Sequence, residues 1–110
     1  SGVNLVIAHG GGALPVVLGR LKNSFANNPG KNSDPGESFS RLYFDTVVYD
    51  PRALRFLCEV AGPSKVMMGT DQPFPNAEAK PRELIQCCGV ETKYQSAILG
   101  DTAARLFGIQ

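Results

Sequence analysis

Residues 3–8 are almost continuously apolar and rich in β-branched side chains, which predicts a short buried strand of a parallel sheet. The run stops at His9-Gly10-Gly11-Gly12. Beyond it, Leu14, Val17, Leu18, Leu21 and Phe25 recur at three- and four-residue spacing. That periodicity predicts an amphipathic helix, opened by Pro15 in its first turn and stopped at Asn27-Asn28-Pro29-Gly30. The polar stretch 31–40 reads as an exposed loop with room for a short helix at its end. A second strand is predicted over 42–49 and leads into Asp50-Pro51, an N-cap followed by proline at the first helical position. Leu54, Leu57, Cys58 and Ala61 share one face of the helix that follows, and Gly62-Pro63 ends it. Residues 65–68 are the third predicted strand, again followed by glycine. After a loop over 72–80, helices are predicted at 81–88, 91–99 and 101–107.

Strands recurring about every 30 residues, each followed by helical periodicity, predict βα units and an arc of parallel sheet. The fold class is therefore α/β. The chain has 110 residues, whereas a complete (β/α)8 barrel needs about 250. One unit over residues 1–110 with no internal boundary is expected, either whole or as a piece of something larger. An arc leaves both sheet edges open, an arrangement that calls for further strands from the same or another chain. Ser1-Gly2 reads as a cut from a longer chain or a remnant of expression.

Composition narrows the functional classes. With 11 basic and 10 acidic residues spread along the chain, the net charge is +1, and no footprint for nucleic acid or an acidic membrane emerges. No apolar stretch approaches the roughly 20 residues that span a bilayer. Cys58, Cys87 and Cys88 lack metal-ligand spacing, and an odd count without a signal sequence speaks for a reducing, cytoplasmic setting.

Chemistry concentrates at two strand endings, His9 and the Asp71 of Gly69-Thr70-Asp71. The carboxyl ends of parallel strands are where βα folds build active sites. Each residue also has an ordinary reading, a structural histidine after an apolar run and a turn or helix-capping aspartate. Their spacing of 62 residues is about two βα units, which puts both on one rim, two strands apart. His9 is the single histidine of the chain, and the glycines behind it are expected to keep its surroundings clear of side chains.

Ala8-His9-Gly10-Gly11-Gly12, Arg20, Tyr43-Phe44-Asp45-Thr46, Tyr49-Asp50-Pro51, Gly69-Thr70-Asp71-Gln72-Pro73-Phe74-Pro75 and the Leu106-Phe107-Gly108-Ile109 ending occur in an order and spacing that resembles the metal-dependent amidohydrolase superfamily. The likeness is to its carboxyl-terminal third, and within it to the aminocarboxymuconate-semialdehyde decarboxylase group. The resemblance implies a partial (β/α)8 TIM barrel, strands six to eight with their helices. It implies that Asp71 ligates a catalytic metal, usually zinc, and that His9 is the general acid/base beside it. It further implies that Arg20 enters a partner subunit's active site in a homodimer and binds a substrate carboxylate, and that Phe74 packs on a flat substrate. A solvated helix-surface arginine and an ordinary packing phenylalanine are the alternatives. Gln72 departs from the aromatic residue of many relatives, which bears on substrate identity.

The implied activity is nonoxidative decarboxylation of an unsaturated or aromatic carboxylic acid. The His-x-His pair and further histidine that complete such a site are absent from the sequence. The isolated chain is therefore expected to be inactive. A fragment of a related metal-dependent lactone or amide hydrolase, and a noncatalytic βα binding module, are the competing readings.

Overall fold

The computed structural model describes residues 2–30 and 33–109. Lys31 and Asn32 of the predicted loop lie outside the described residues. Three parallel strands, β1 (Val6–Ile7), β2 (Tyr43–Asp45) and β3 (Val66–Met67), lie side by side in chain order. Val6 stands opposite Tyr43, Ile7 opposite Phe44, Phe44 opposite Val66, and Asp45 opposite Met67. The helices are α1 (Leu14–Asn27), α2 (Pro35–Phe39), α3 (Pro51–Ala61), α4 (Pro81–Cys87), α5 (Thr92–Ser96) and α6 (Thr102–Phe107). The architecture is α/β, and its sheet is consistent with part of a barrel.

Local chemistry explains the helix starts. Asp34 accepts a hydrogen bond from the Gly36 amide at 2.9 Å, and Asp50 accepts one from the Arg52 amide at 2.8 Å. Each cap is followed by a proline whose missing N–H would have had no helical partner anyway. The Arg52 guanidinium also clasps the Asp50 carboxylate at 2.8 Å and holds its pKa below the usual carboxylate range.

Three expectations are corrected. Every strand is shorter than its apolar run, because the chain turns where pairing stops. After Asp45, bonds from the Val48 amide to the Thr46 carbonyl and from the Asp50 amide to the Val48 carbonyl coil the segment predicted as strand. Second, Val3, Leu5 and Val6 are exposed rather than buried, since β1 is an edge with β2 as its one partner among the described residues. Third, the helices predicted over 91–99 and 101–107 are joined, with a π turn, Ala97–Asp101, between α5 and α6. A π turn leaves a carbonyl outside the regular ladder. The Ile98 carbonyl accepts the Met68 amide at 2.9 Å, so the helix docks directly on the end of β3.

The core lies between sheet and helices. Phe44, Leu54, Leu57, Val66, Ile85 and Ile98 are fully buried, and Phe39 stacks on Phe44 with ring centroids 5.1 Å apart. No helix among the described residues is long and apolar enough to cross a membrane.

Two outcomes test this packing. Leu54→Ala is expected to lower unfolding free energy by about 2–5 kcal/mol in a denaturant titration. Burial pushes the Cys58 thiol up to about 12, helped by Cys88 and Glu59, and Cys88 is itself buried. Native-state alkylation followed by peptide mapping should therefore label exposed Cys87 and spare Cys58 until the protein unfolds.

Candidate active site

The site is built where the three strands end. Behind β1 the backbone enters a left-handed turn, with φ of 56° at His9, 61° at Gly10, 83° at Gly11 and 58° at Gly12. Bonds from the Gly11 amide to the Ala8 carbonyl and from the Gly12 amide to the His9 carbonyl, each 3.0 Å, close it. Left-handed backbone costs an L-residue roughly 1–2 kcal/mol, and glycine almost nothing. His9 is thus the one member of the turn that bears the strain, and the glycines let it form. Such strain tends to collect at functional sites.

The glycines serve two ends: the His9 imidazole is largely exposed, as expected, but Gly10 and Gly11 are themselves tightly packed. A Cβ on Gly10 would lie 2.4 Å from Val48 Cγ1, and one on Gly11 would lie 2.7 Å from the Phe44 ring. Both backbones press on β2 and the turn behind it. A Cβ on Gly12 would meet nothing, so the clear space is confined to that position.

Behind β3 the backbone also turns left-handed, with φ of 63° at Asp71. The Thr70 hydroxyl accepts the Gln72 amide at 3.2 Å, the Thr70 carbonyl accepts the Glu78 amide at 2.7 Å, and the Asp71 carbonyl accepts the Phe74 amide at 3.1 Å. These bonds tie the following loop to the strand end. Tyr49, left-handed as well, donates its hydroxyl to the Asn76 carbonyl and fixes the loop's far side.

His9 and Asp71 meet, as their spacing predicted. His9 Nε2 lies 3.6 Å from Asp71 Oδ2, with the imidazole largely exposed and the carboxylate about two-thirds covered. That separation exceeds a good hydrogen bond, so both groups keep valences for a third participant. An imidazole nitrogen and a carboxylate oxygen suit a divalent cation of the zinc or manganese type. Among the described residues no third His, Cys, Asp or Glu joins them in a metal-holding group. Phe74 is exposed on the loop after Asp71, and Arg20 is exposed on α1 without an ion pair among the described residues. Asp50 is the α3 cap, as expected.

Two residues were not singled out from the sequence as site builders. Asp45 Oδ1 accepts the Gly10 amide and the Val47 amide, each at 3.0 Å. Thr46 is fully buried and its Oγ1 accepts the Gly69 amide at 3.1 Å. The available signal was polar side chains within an apolar run, since such groups need partners once buried.

The amidohydrolase family model matches residues 1–109. The chain is 33% identical over 97% of its length to a 2-amino-3-carboxymuconate-6-semialdehyde decarboxylase of Dictyostelium discoideum, and covers 32% of that protein. Among solved structures, 5-carboxyvanillate decarboxylase from Sphingomonas paucimobilis superposes with a TM-score of 0.79 at 29% identity, over 97% of this chain and 34% of that one. A dihydroxybenzoic acid decarboxylase from Polaromonas, solved with bound manganese and 2-nitroresorcinol, gives 0.82 at 17% identity, over 96% and 34%. The chain thus spans about a third of the length of each of these three proteins.

Substituting the turn glycines separates its two demands. Gly12→Ala is expected to be destabilising by backbone strain alone, because φ 58° with ψ −124° lies outside the left-handed α well that alanine can enter. Gly10→Ala, with φ 61° and ψ 19° inside that well, should cost about 1–2 kcal/mol in backbone and about 1–3 kcal/mol in the clash with Val48. Thermal unfolding of both variants measures the two costs.

Proposed function

This chain belongs to the amidohydrolase family, and we propose that it is the carboxyl-terminal part of a metal-dependent, nonoxidative decarboxylase acting on an unsaturated or aromatic carboxylic acid. The strands are then the sixth to eighth of the barrel. The observation that carries the reading is the approach of His9 Nε2 to Asp71 Oδ2 at the carboxyl ends of two parallel strands. Decarboxylase names among its relatives favour this chemistry over lactone or amide hydrolysis.

In this reading Asp71 contributes one carboxylate oxygen to zinc or a similar divalent ion, with the other ligands supplied by the rest of the barrel. When bound, the metal supplies a positive centre close to where negative charge develops. His9 holds a proton on an exposed imidazole at the same rim. Cleavage of the carbon–carboxylate bond releases carbon dioxide and leaves an electron pair on the substrate carbon. That pair takes the His9 proton and becomes the new C–H bond. Phe74 faces the flat substrate from the loop behind Asp71. Arg20, exposed on α1, reaches the site of a second copy in a cytoplasmic homodimer and grips a carboxylate with its paired N–H groups.

The complete protein, assayed for carbon dioxide release from aromatic and unsaturated carboxylic acids, should lose about 10²–10⁴-fold in kcat on His9→Ala. Asp71→Asn or a chelator should abolish turnover with loss of bound metal. Ring opening or amide cleavage in place of carbon dioxide would overturn the decarboxylase assignment. The isolated 110-residue chain should show neither stoichiometric zinc nor turnover; both together would refute its being an incomplete site.

A further inference from the structure

We propose that Asp45 is the positioning residue that holds His9 in its working geometry, an inference that rests on the catalytic reading of His9 above. Asp45 is the last residue of β2, the strand between those that deliver His9 and Asp71. Its Oδ1 takes the amide of Gly10, the residue next to His9, and the amide of Val47, both at 3.0 Å. The other amides of the left-handed turn, those of Gly11 and Gly12, bond to carbonyls of the turn's own segment. The Gly10 amide therefore provides the bond by which the turn is tied to the neighbouring strand.

The carboxylate is confined on its other side as well. A Cβ on Gly69 would lie 3.1 Å from Asp45 Cβ, so the backbone approaching Asp71 runs directly against this side chain. Asp45 stands between the two strand endings, bonded to one and packed on the other. With Oδ1 taking two backbone donors, the side chain acts as a strut for His9. Asparagine retains a carbonyl oxygen at Oδ1 and can accept both amides; alanine accepts neither.

The test compares Asp45→Ala, Asp45→Asn and, as a stability control, Leu54→Ala in the complete protein, below the unfolding temperature of each. Displacing a catalytic group by about 1 Å can cost 10²-fold. Asp45→Ala should lower kcat by roughly that factor with little change in KM, while Asp45→Asn restores most of it. Leu54→Ala should leave kcat unchanged. Hydrogen exchange at the Gly10 amide supplies a readout independent of turnover: protected in wild type and Asp45→Asn, fast in Asp45→Ala. If wild type fails to decarboxylate, the catalytic reading falls, and Gly10 exchange still reports on the strut. Wild-type kcat in Asp45→Ala, or unchanged Gly10 protection there, overturns the proposal. Should Asp45→Ala not fold, Asp45→Asn decides: near-normal kcat with Gly10 protected supports the strut, and a large loss of kcat despite that protection overturns it.

Discussion

The end of the middle strand is the point on which the site depends. Adjacent side chains there face different neighbours: Asp45 accepts the Gly10 amide of the first strand's turn, and Thr46 accepts the Gly69 amide at the end of the third. The paired strands are two or three residues long and contribute few ladder bonds. These side-chain bonds extend the stitching past the point where the backbones diverge. They bring both left-handed residues, His9 and Asp71, to 3.6 Å. Because Thr46 is fully buried, its bond to Gly69 is poorly replaced by water, which makes the arrangement specific as well as stable.

The strain in this region is matched by the packing below it. A histidine in left-handed backbone is unfavourable by roughly 1–2 kcal/mol. It persists where the surroundings over-determine it. Val48 and Leu57 crowd Gly10, and the Phe44 ring lies against Gly11. Phe44 and Leu57 belong to the buried core, so the turn carrying the histidine rests directly on the most ordered part of the molecule. The same close packing leaves no space for side chains at Gly10 and Gly11. Their glycine identity is thus required twice, for φ and for volume.

Away from the site, the surface follows from an arc of sheet with an open side. Val3, Leu5 and Val6 expose apolar surface beside an edge strand with a single partner among the described residues. At the other edge strand, the residues that flank β3 are tied to the C-terminal helices: the Ile98 carbonyl accepts the Met68 amide, and Thr102 and Arg105 donate to the carbonyls of Pro63 and Ser64. In the proposed enzyme the rest of the barrel continues from both edges of the arc, β1 and β3 alike.

Hydrophobic periodicity determined the α/β class, the helices that carry Leu18, Leu54 and Leu84, and the order of the three strands. The positions of His9 and Asp71 at strand ends, two βα units apart, were enough to place them on a common rim, because each unit returns the chain to the next strand in the same direction. Strand lengths were not legible, since an apolar run continues through Val47 and Val48 after pairing has ceased and burial alone does not distinguish strand from turn. Nor was the use of the glycines, where sequence composition is compatible with open space and with tight packing alike. The parts of Asp45 and Thr46 were decided only by tertiary structure: a hydrogen bond to a backbone amide 23 or 35 residues away leaves no periodic trace. It exists because strand pairing brings those amides within reach of side chains that, buried or half-buried, must find a donor.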